Sequence, residues 1–262
     1  MSNALYYAIK HSGEVNFGDY LSLYLYKKIT GQQPTPPIAG QPHWVVIGSI
    51  LGSRLAPGAM IWGSGIMKRN ATFQRPLRIY SVRGPYTYQR CKELGYECPR
   101  IFGDPGLLLP RFYTPKPLVP RYRLGLIFHH LERPPPPSAG VRHITLIHQR
   151  DDDSATERIV DEIASCDMIY SSSLHGVIVA HAYGIPAVWC QFYAPVGPEN
   201  TKFLDYYHSI GLTEVNESIV LTGTSFTRAV TFPQPQFPIN TDAIWQACPF
   251  RPATFRKTRK SR

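Results

Sequence analysis

The residue of this sequence best suited to acid–base chemistry is His175, in the stretch Ser171–Gly176. A histidine there can transfer protons near neutral pH, bind a metal, or be an ordinary loop residue satisfied by a backbone carbonyl. The stretch follows a short apolar segment, Asp167–Tyr170, and precedes an apolar run that predicts a buried helix. Because the N-terminus of such a helix points into the ligand cleft of an α/β sheet, we predict a functional His175. His181 lies about 240° away around the same helix axis and is predicted to pack or cap.

A candidate cation is Arg83, which stands in Ser81–Pro85 between an apolar segment and a helix-like segment. A guanidinium at the end of a strand can bind a carboxylate or phosphate through two parallel hydrogen bonds. The alternative is an ion pair between Arg83 and a nearby acid such as Asp104.

Several loops at predicted strand ends pair a glycine with a polar residue. Glycine lets a ligand approach the backbone, and helix N-termini present free N–H groups to anions. Tight strand-to-helix turns also need glycine for steric reasons, so one such loop says little, but their number favours an anion-binding cleft. The loops are Asn16–Asp19, Gly48–Leu51, Gly63–Gly65, Ser81–Pro85, Phe102–Pro105 and Ser171–Gly176.

Other familiar kinds of site lack their motifs in this sequence. It contains no GxxxxGK[ST] phosphate loop, no GxGxxG after the first strand, no GxSxG nucleophile elbow and no HExxH or CxxC metal motif. The adjacent imidazoles in Phe128–His130 end a predicted strand and point to opposite faces, so we expect structural or rim roles for them. We therefore expect no metal and no cofactor.

Short apolar segments alternate with helix-like segments, which predicts a doubly wound α/β fold. Four prolines in Leu107–Arg123 indicate a break between two Rossmann-like halves that face a cleft. We place an N-terminal domain at 1–115, a C-terminal domain at 116–239, and a final helix with a basic tail at 240–262. The predicted strands are Leu5–Ile9, His43–Gly48, Ala59–Gly63, Leu77–Val82, Arg123–His130, Val141–His148, Asp167–Ser172 and Pro186–Gln191, and the predicted helices are Tyr20–Gly31, Gly84–Tyr96, Asp151–Cys166, His175–Gly184 and Asn240–Cys248.

Composition is that of a globular protein in a reducing compartment. The 262 residues are 43% hydrophobic, and no apolar run is long enough for a membrane span. The N-terminus has no signal-peptide pattern. The five cysteines are widely spaced and are expected to be reduced, so the predicted location is cytoplasmic.

The net charge of +10 lies mostly in Arg251–Arg262, which holds six basic residues and no acid and leaves +4 for the body. Such a tail suits an anionic partner such as a membrane surface, a lipid pyrophosphate or nucleic acid, or it is simply a disordered, solubilising end. We expect peripheral attraction to the inner face of the membrane. No alternation of aromatic and basic residues of an RNA-binding kind is visible, and no nucleic-acid partner is expected.

Five motifs, taken in order, resemble those of the polysaccharide pyruvyl transferase family. They are "NFGDYLS", "WGSG", "SVRGPYT", "GDPGLLLP" and "SSSLHGVIVAHAYGIPAVW", and the resemblance covers about residues 5–190. It implies a two-domain, glycosyltransferase-B-like fold and transfer of the enolpyruvyl carbons of phosphoenolpyruvate to a sugar, which forms a pyruvate ketal. The implied acceptors are repeat units of exopolysaccharide or capsule, often lipid-linked, or related glycans.

By position, the resemblance assigns His175 as the catalytic acid/base and Arg83 as a donor-binding arginine. Many members have arginine where this chain has Ser173, so the donor pocket lacks one cation. Either Arg83 takes over more of the donor binding, or Lys68, Arg69 or Arg54 substitutes for the missing arginine. The predicted substrate-binding residues are Arg83, Asn16, Gly18, Asp19, Gly63, Ser64, Gly65, Asp104, Ser172, Ser173, Leu174 and Gly176.

Two other functions remain open at this point. One is a nucleotide-sugar-dependent glycosyltransferase of the same overall shape. The other is a non-catalytic binding protein whose basic tail engages nucleic acid.

Overall fold

The computed structural model describes residues 2–7, 15–53, 55–116, 121–129, 132, 136, 138–148, 153–193, 200–221 and 231–251. The strands are β1 (Leu5–Tyr6), β2 (Val15–Asn16), β3 (His43–Val45), β4 (Ala59–Trp62), β5 (Arg78–Ser81), β6 (Leu124–Ile127), β7 (Val141–Ile144), β8 (Ile147–His148), β9 (Ile169–Ser171), β10 (Ala187–Phe192) and β11 (Ile219–Leu221). The helices are α1 (Phe17–Thr30), α2 (Pro85–Glu93), α3 (Asp153–Ala164), α4 (Leu174–Ala182), α5 (Thr201–Ser209) and α6 (Asp242–Gln246), with a 3₁₀ helix at Pro105–Arg111.

Two parallel sheets form the framework. The first has the strand order β1-β3-β4-β5, and the second has the order β11-β10-β9-β6-β7. Parallel strands buried on both faces give short, nearly continuous apolar segments, which is why most of them could be predicted. The mixed α/β class with parallel sheets is therefore confirmed, and the division into domains at 115 and 239 stays a prediction.

The predicted strand Val141–His148 is wrong in one respect, because it is two strands. β7 pairs in parallel with β6, and the chain then leaves that sheet so that β8 pairs antiparallel with β2. The backbone N–H of Phe17 donates to the carbonyl of Leu146 at 2.8 Å, just beyond this pairing. A segment expected to be a loop before α1 is thereby fixed to the second half of the chain.

Helix α1 begins at Phe17, three residues before the predicted start, because Asn16 caps it. The Asn16 side chain accepts a hydrogen bond from the Gly18 N–H at 2.9 Å, and Gly31 ends the helix with a left-handed φ of 68°. Ion pairs tie α1 to α3, with Lys27 at 2.7 Å from Asp153. Helix α1 thus connects residues of both halves of the chain.

Two elements after residue 192 were not predicted: helix α5 and strand β11. Beyond them, the C-terminal segment returns to the first sheet. The indole of Trp62 donates to the carbonyl of Ile244 at 3.1 Å, and the ring of Phe250 lies against Trp44 and Trp62. The predicted last helix is confirmed in the shorter form α6.

One hydrophobic core runs from the first sheet to the second. It joins Phe17 and Trp62 with Leu108, Val177 and Trp189. Helix α4 lies inside it and is buried nearly all round, as its apolar sequence predicts. Within the described ranges, no helix has both the length and the apolar character needed to cross a bilayer.

Candidate active site

The turn between β9 and α4 places His175 at the beginning of a buried helix. Ser171 closes this turn, since its Oγ accepts from the Ser173 N–H at 3.0 Å and donates to the Ser173 carbonyl at 2.8 Å. Ser173 is the N-cap residue of α4, but its hydroxyl makes no capping hydrogen bond. The first turn of α4 therefore keeps N–H groups available for an anion. A Cβ on Gly176 would lie 2.4 Å from Ser171 Oγ, so this position accommodates no side chain.

The imidazole of His175 lies directly against Gly18 at the start of α1. A Cβ atom on Gly18 would lie 2.0 Å from Nδ1 of His175, which explains why residue 18 has no side chain. The residue keeps some exposure, but its Nε2 is buried and finds no hydrogen-bond partner among the described residues. Burial, and then the positive charges of Arg83 and Lys202, lower the pKa of His175 to about 3. The ring is therefore neutral at physiological pH and can accept a proton.

Arg83 follows β5 and is fully buried beside this histidine. Its Nε donates to Asp205 Oδ2 at 3.2 Å, Nη1 donates to Ser49 Oγ at 2.6 Å, and Nη2 donates to the Ile66 carbonyl at 2.6 Å. The guanidinium also lies against Gly65, where a Cβ would come within 2.5 Å of Cζ. Arg83 thus makes an ion pair, as the alternative interpretation holds, but its partner is Asp205 and not Asp104.

Asp205, in α5, is the residue that holds Arg83 and α2 together. Its carboxylate accepts from the N–H groups of Tyr86 and Thr87 at 2.9 and 3.0 Å, and from Thr87 Oγ1 at 2.6 Å. Gly84, the N-cap residue of α2, has no side chain to cap the helix, and a Cβ there would overlap the Asp205 carbonyl oxygen at 1.8 Å. A carboxylate from another helix therefore caps α2 and neutralises Arg83 at once.

Lys202 stands in the first turn of the same helix, one turn before Asp205. It is half-buried, and within the described part of the chain it makes no ion pair. Burial, and then the charge of Arg83, lower the pKa of Lys202. Arg83, Lys202 and His175 consequently form a cluster with an excess of positive charge.

The loops after β4 and after Phe102 pack next to Arg83 and against each other. Ser64 is fully buried and donates to the Gly48 carbonyl at 2.9 Å, while Gly63 adopts a φ of 85° against Pro105. Asp104 is also fully buried, and its Oδ1 caps the 3₁₀ helix by accepting from the Gly106 N–H at 2.8 Å. Burial raises the pKa of Asp104 to about 6. These side chains shape the pocket, and their predicted contact with substrate stays a prediction.

The remaining predicted residues divide into those that face His175 and those that do not. Asn16 and Asp19 belong to the α1 N-terminus that carries Gly18, and a Cβ on Gly48 would come within 3.6 Å of Asp19 Oδ1. Leu174 is buried in the core. The hydroxyl of Ser172 turns toward the other side, where it contacts the carboxylate of Glu132.

None of the three cations suggested for the missing arginine is shown to fill its place. Lys68 is exposed, and Arg69 is also exposed and stacks on the ring of Tyr86 at 3.9 Å from its centroid. Arg54 lies outside the described residues. His181 packs as expected, buried and 3.0 Å from the Tyr206 hydroxyl.

Lys202 and Asp205 are the site residues that the sequence analysis missed. Their helix had a usable signal, because Thr201 follows Asn200 and the apolar Phe203, Tyr206 and Tyr207 recur at helical spacing before Gly211. The pairing of Asp205 with Arg83 carries no local signal, since the two residues are 122 positions apart in the chain.

The fold and the site define an α/β protein with a positively charged cluster around a partly exposed, neutral histidine. The model of the polysaccharide pyruvyl transferase family matches residues 56–191, just over half of the chain, and the protein belongs to this family. Arg83, Asp104 and His175 lie inside the matched segment, whereas Lys202 lies beyond it.

Two further proteins are similar to this chain. An uncharacterized protein of Acanthamoeba polyphaga mimivirus is 29% identical over 226 residues, which are 79% of this chain and 74% of that protein. The crystal structure of a functionally uncharacterized protein from Klebsiella pneumoniae subsp. pneumoniae aligns with a TM-score of 0.47 and 14% identity, over 85% of this chain and 94% of that one.

Proposed function

We propose that this protein transfers the pyruvyl group of phosphoenolpyruvate to two hydroxyls of a glycan and forms a pyruvate ketal. The observation that carries the proposal is the buried Nε2 of His175, which has no hydrogen-bond partner among the described residues and lies close to the charges of Arg83 and Lys202. Phosphoenolpyruvate carries a carboxylate and a phosphate, which both suit cations and helix N-termini.

The protonation state of His175 fits the first step of this reaction. Its neutral Nε2 takes the proton of the first sugar hydroxyl and, as an imidazolium, delivers it to C3, which becomes the methyl group. The electrons of the C2–C3 double bond form this C–H bond, so C2 becomes electrophilic and the sugar oxygen bonds to it. The negative charges of the bound donor offset Arg83 and Lys202, so they raise the proton affinity of the ring when it must hold a proton.

The second step closes the ketal. The second hydroxyl attacks C2, the bond between C2 and the phosphate oxygen breaks, and the proton of that hydroxyl leaves with the phosphate. One hydroxyl proton thus ends on C3 and the other on inorganic phosphate. These steps use no redox change and balance without a further reactant.

The acceptor in this proposal is the repeat unit of an exopolysaccharide, a capsule or a related glycan, carried on a lipid. A cavity of about 420 Å³ lies at the carboxyl ends of β6 and β7 and is lined by Phe128, His129, Glu132 and His143, among others. Glu132 also contacts Ser172, three residues before His175. Ligands of α/β proteins bind at this end of a sheet, so the cavity is the position that we propose for part of the acceptor.

Mass spectrometry of candidate oligosaccharides incubated with phosphoenolpyruvate tests the proposal. We expect the mass gain of one pyruvate ketal per acceptor and release of an equal amount of phosphate. The contrary result is that UDP-sugars or GDP-sugars stabilise the protein against heat, phosphoenolpyruvate does not, and no ketal forms. The protein would then be a nucleotide-sugar glycosyltransferase.

A further inference from the structure

The cluster is built from residues on three separate elements, of which Arg83 and Lys202 are positively charged and His175 is neutral. Ser173 contributes no positive charge, although it occupies the position at which the family resemblance implies an arginine. Arg83 enters from the end of β5, His175 from the start of α4, and Lys202 from the start of α5. The question is which of these cations contacts an anionic ligand.

Arg83 is badly placed for direct contact. Its side chain is fully buried, and three of its five N–H donors are already used by Asp205, Ser49 and Ile66. Releasing the Nε bond would break the ion pair with Asp205, whose carboxylate also caps α2, and moving the guanidinium would lose the bonds to Ser49 and Ile66. Arg83 therefore acts on a ligand through its charge and holds the pocket in shape.

Lys202 has the opposite properties. It retains partial exposure, and the described residues offer it no carboxylate. Lys202 and Asp205 are three positions apart in α5, so their side chains leave the helix on the same face. Because Asp205 pairs with Arg83, Lys202 lies on the side of α5 that meets Arg83. An ammonium group beside a second cation, with no anion to pair with, costs free energy that a bound anion recovers. The charge of Lys202 also reaches the imidazole of His175.

We propose that Lys202 binds the carboxylate or phosphate of the donor directly, and so supplies from α5 the positive charge that other members carry at the position of Ser173. This inference rests on the proposed function. Because Lys202 lies beyond residues 56–191, the replacement is invisible within the segment that the family model matches. It makes α5 part of the donor site, and Asp205 in the same helix fixes its place relative to Arg83.

The test compares four variants in steady-state kinetics with phosphoenolpyruvate. Lys202→Ala is expected to raise KM for the donor about ten- to hundredfold with kcat changed only a few-fold, since a charge-assisted hydrogen bond to an anion is lost. Adding Ser173→Arg to Lys202→Ala is expected to lower KM again, because it restores the family's cation. Lys92→Ala, which removes an exposed lysine in the last turn of α2, is the matched control and should keep the wild-type KM. Lys202→Arg should retain most of the affinity.

A stability measurement separates a ligand-binding role from a structural one. The Lys202 ammonium has no carboxylate partner among the described residues and lies over the Phe203 ring, 5.3 Å from its centroid, so its removal should change Tm of the ligand-free protein little. A Lys202→Ala variant with a lower Tm, and without recovery by Ser173→Arg, would show that Lys202 supports the fold and would overturn the inference. An unchanged KM in Lys202→Ala would overturn it as well, while ketal formation by the wild type would leave the proposed function intact.

Calorimetric titration with phosphoenolpyruvate and with inorganic phosphate makes the inference independent of turnover. If the wild type forms no ketal but binds either anion, and Lys202→Ala loses that binding, the proposed function fails and the anion site stands. Equal binding by the wild type and Lys202→Ala would refute the anion site.

Discussion

At the residue scale, the site depends on a contact between a backbone and a ring. Gly18 lies so close to His175 that a single methyl group would overlap Nδ1 at 2.0 Å. The imidazole can then reach its position only because residue 18 is glycine. The proton-transfer role proposed for His175 therefore makes a prediction about a residue that takes no part in the chemistry.

Gly18→Ala should displace the His175 ring and lower kcat about a hundredfold, since a displacement near 1 Å at a reacting group has effects of that order. The matched control is Gly52→Ala, where no atom lies within 4 Å of the added Cβ and the backbone has no positive φ. Steady-state kinetics of both variants provides the measurement. Equal activity of Gly18→Ala and the wild type would contradict the placement of His175.

The pKa of His175 provides a second prediction at this scale. Its folded-state pKa of about 3 lies below the value of about 6.5 for an unfolded histidine, so the folded state favours the neutral ring. The stability contributed by the neutral ring is present above about pH 6.5 and decreases as the pH falls toward 3. Bound phosphoenolpyruvate should raise this pKa, because its negative charges offset those of Arg83 and Lys202.

NMR titration of the imidazole resonances measures this change. His181 is the internal control: burial lowers its pKa to about 3 as well, but no charge of the cluster contributes. We expect both rings to stay neutral from pH 8 to about pH 5 in the free protein, and only that of His175 to titrate at higher pH with phosphoenolpyruvate. If phosphoenolpyruvate raised the pKa of both imidazoles, or of neither, the result would argue against an anion beside His175.

The position of His175 in the first turn of a buried helix could be predicted because its signal is local. A short apolar strand, a serine-rich turn and an apolar helix lie within about twenty residues, and local patterns of this kind determine where a helix begins. Ser172 shows the limit of the same reasoning: its motif position suggested the pocket, yet its hydroxyl contacts Glu132. Which side of a turn a hydroxyl faces depends on partners far away in the chain.

At the element scale, α5 links the two sheets through one carboxylate. Asp205 accepts hydrogen bonds from the N-terminus of α2 and pairs with Arg83, and all of these groups are buried. The sequence analysis predicted α2 and the loop of Arg83 correctly but not the helix that holds them. Contacts of this kind, 122 positions apart, leave no pattern in a single sequence.

Asp205→Ala should destabilise the protein by about 3–5 kcal/mol, because it leaves Arg83 buried and unpaired. Asp242→Ala is the control, because Asp242 forms an exposed ion pair with Arg111 at 3.2 Å. This substitution should lower the free energy of unfolding by less than about 1 kcal/mol. Denaturant unfolding measures both changes. A cost of Asp205→Ala similar to that of Asp242→Ala would show that the buried pair does not hold α2 and α5 together.

At the scale of the whole molecule, residues from both halves of the chain meet around His175 and Arg83. The β2–β8 pairing, the ion pairs between α1 and α3, and the continuous core join the first sheet to the second. The class of fold could be predicted from alternating strands and helices, whereas these cross-connections could not. The predicted basic tail lies outside the described residues beyond Arg251, whose guanidinium rests over Trp245 at 5.7 Å from its centroid.

We predict that ending the chain after Arg251 abolishes binding to vesicles that contain phosphatidylglycerol, since each basic residue near an anionic surface contributes about 1 kcal/mol. Activity on a soluble acceptor should be unchanged. A full-length variant with glutamine at the five basic positions after Arg251 separates charge from length. Vesicle co-sedimentation that is equal for the truncated, neutralised and wild-type chains would exclude a role of the tail in membrane attraction.

The central claim is that His175 carries a proton from a sugar hydroxyl to C3 of phosphoenolpyruvate. The most direct measurement is proton NMR of the reaction product formed in D₂O by the wild type and by His175→Ala. We expect the wild type to give a ketal methyl group with one deuterium, and His175→Ala to lose at least about a hundredfold in rate, as general acid–base catalysis implies. A folded His175→Ala variant that forms the ketal at nearly the wild-type rate would contradict the claim.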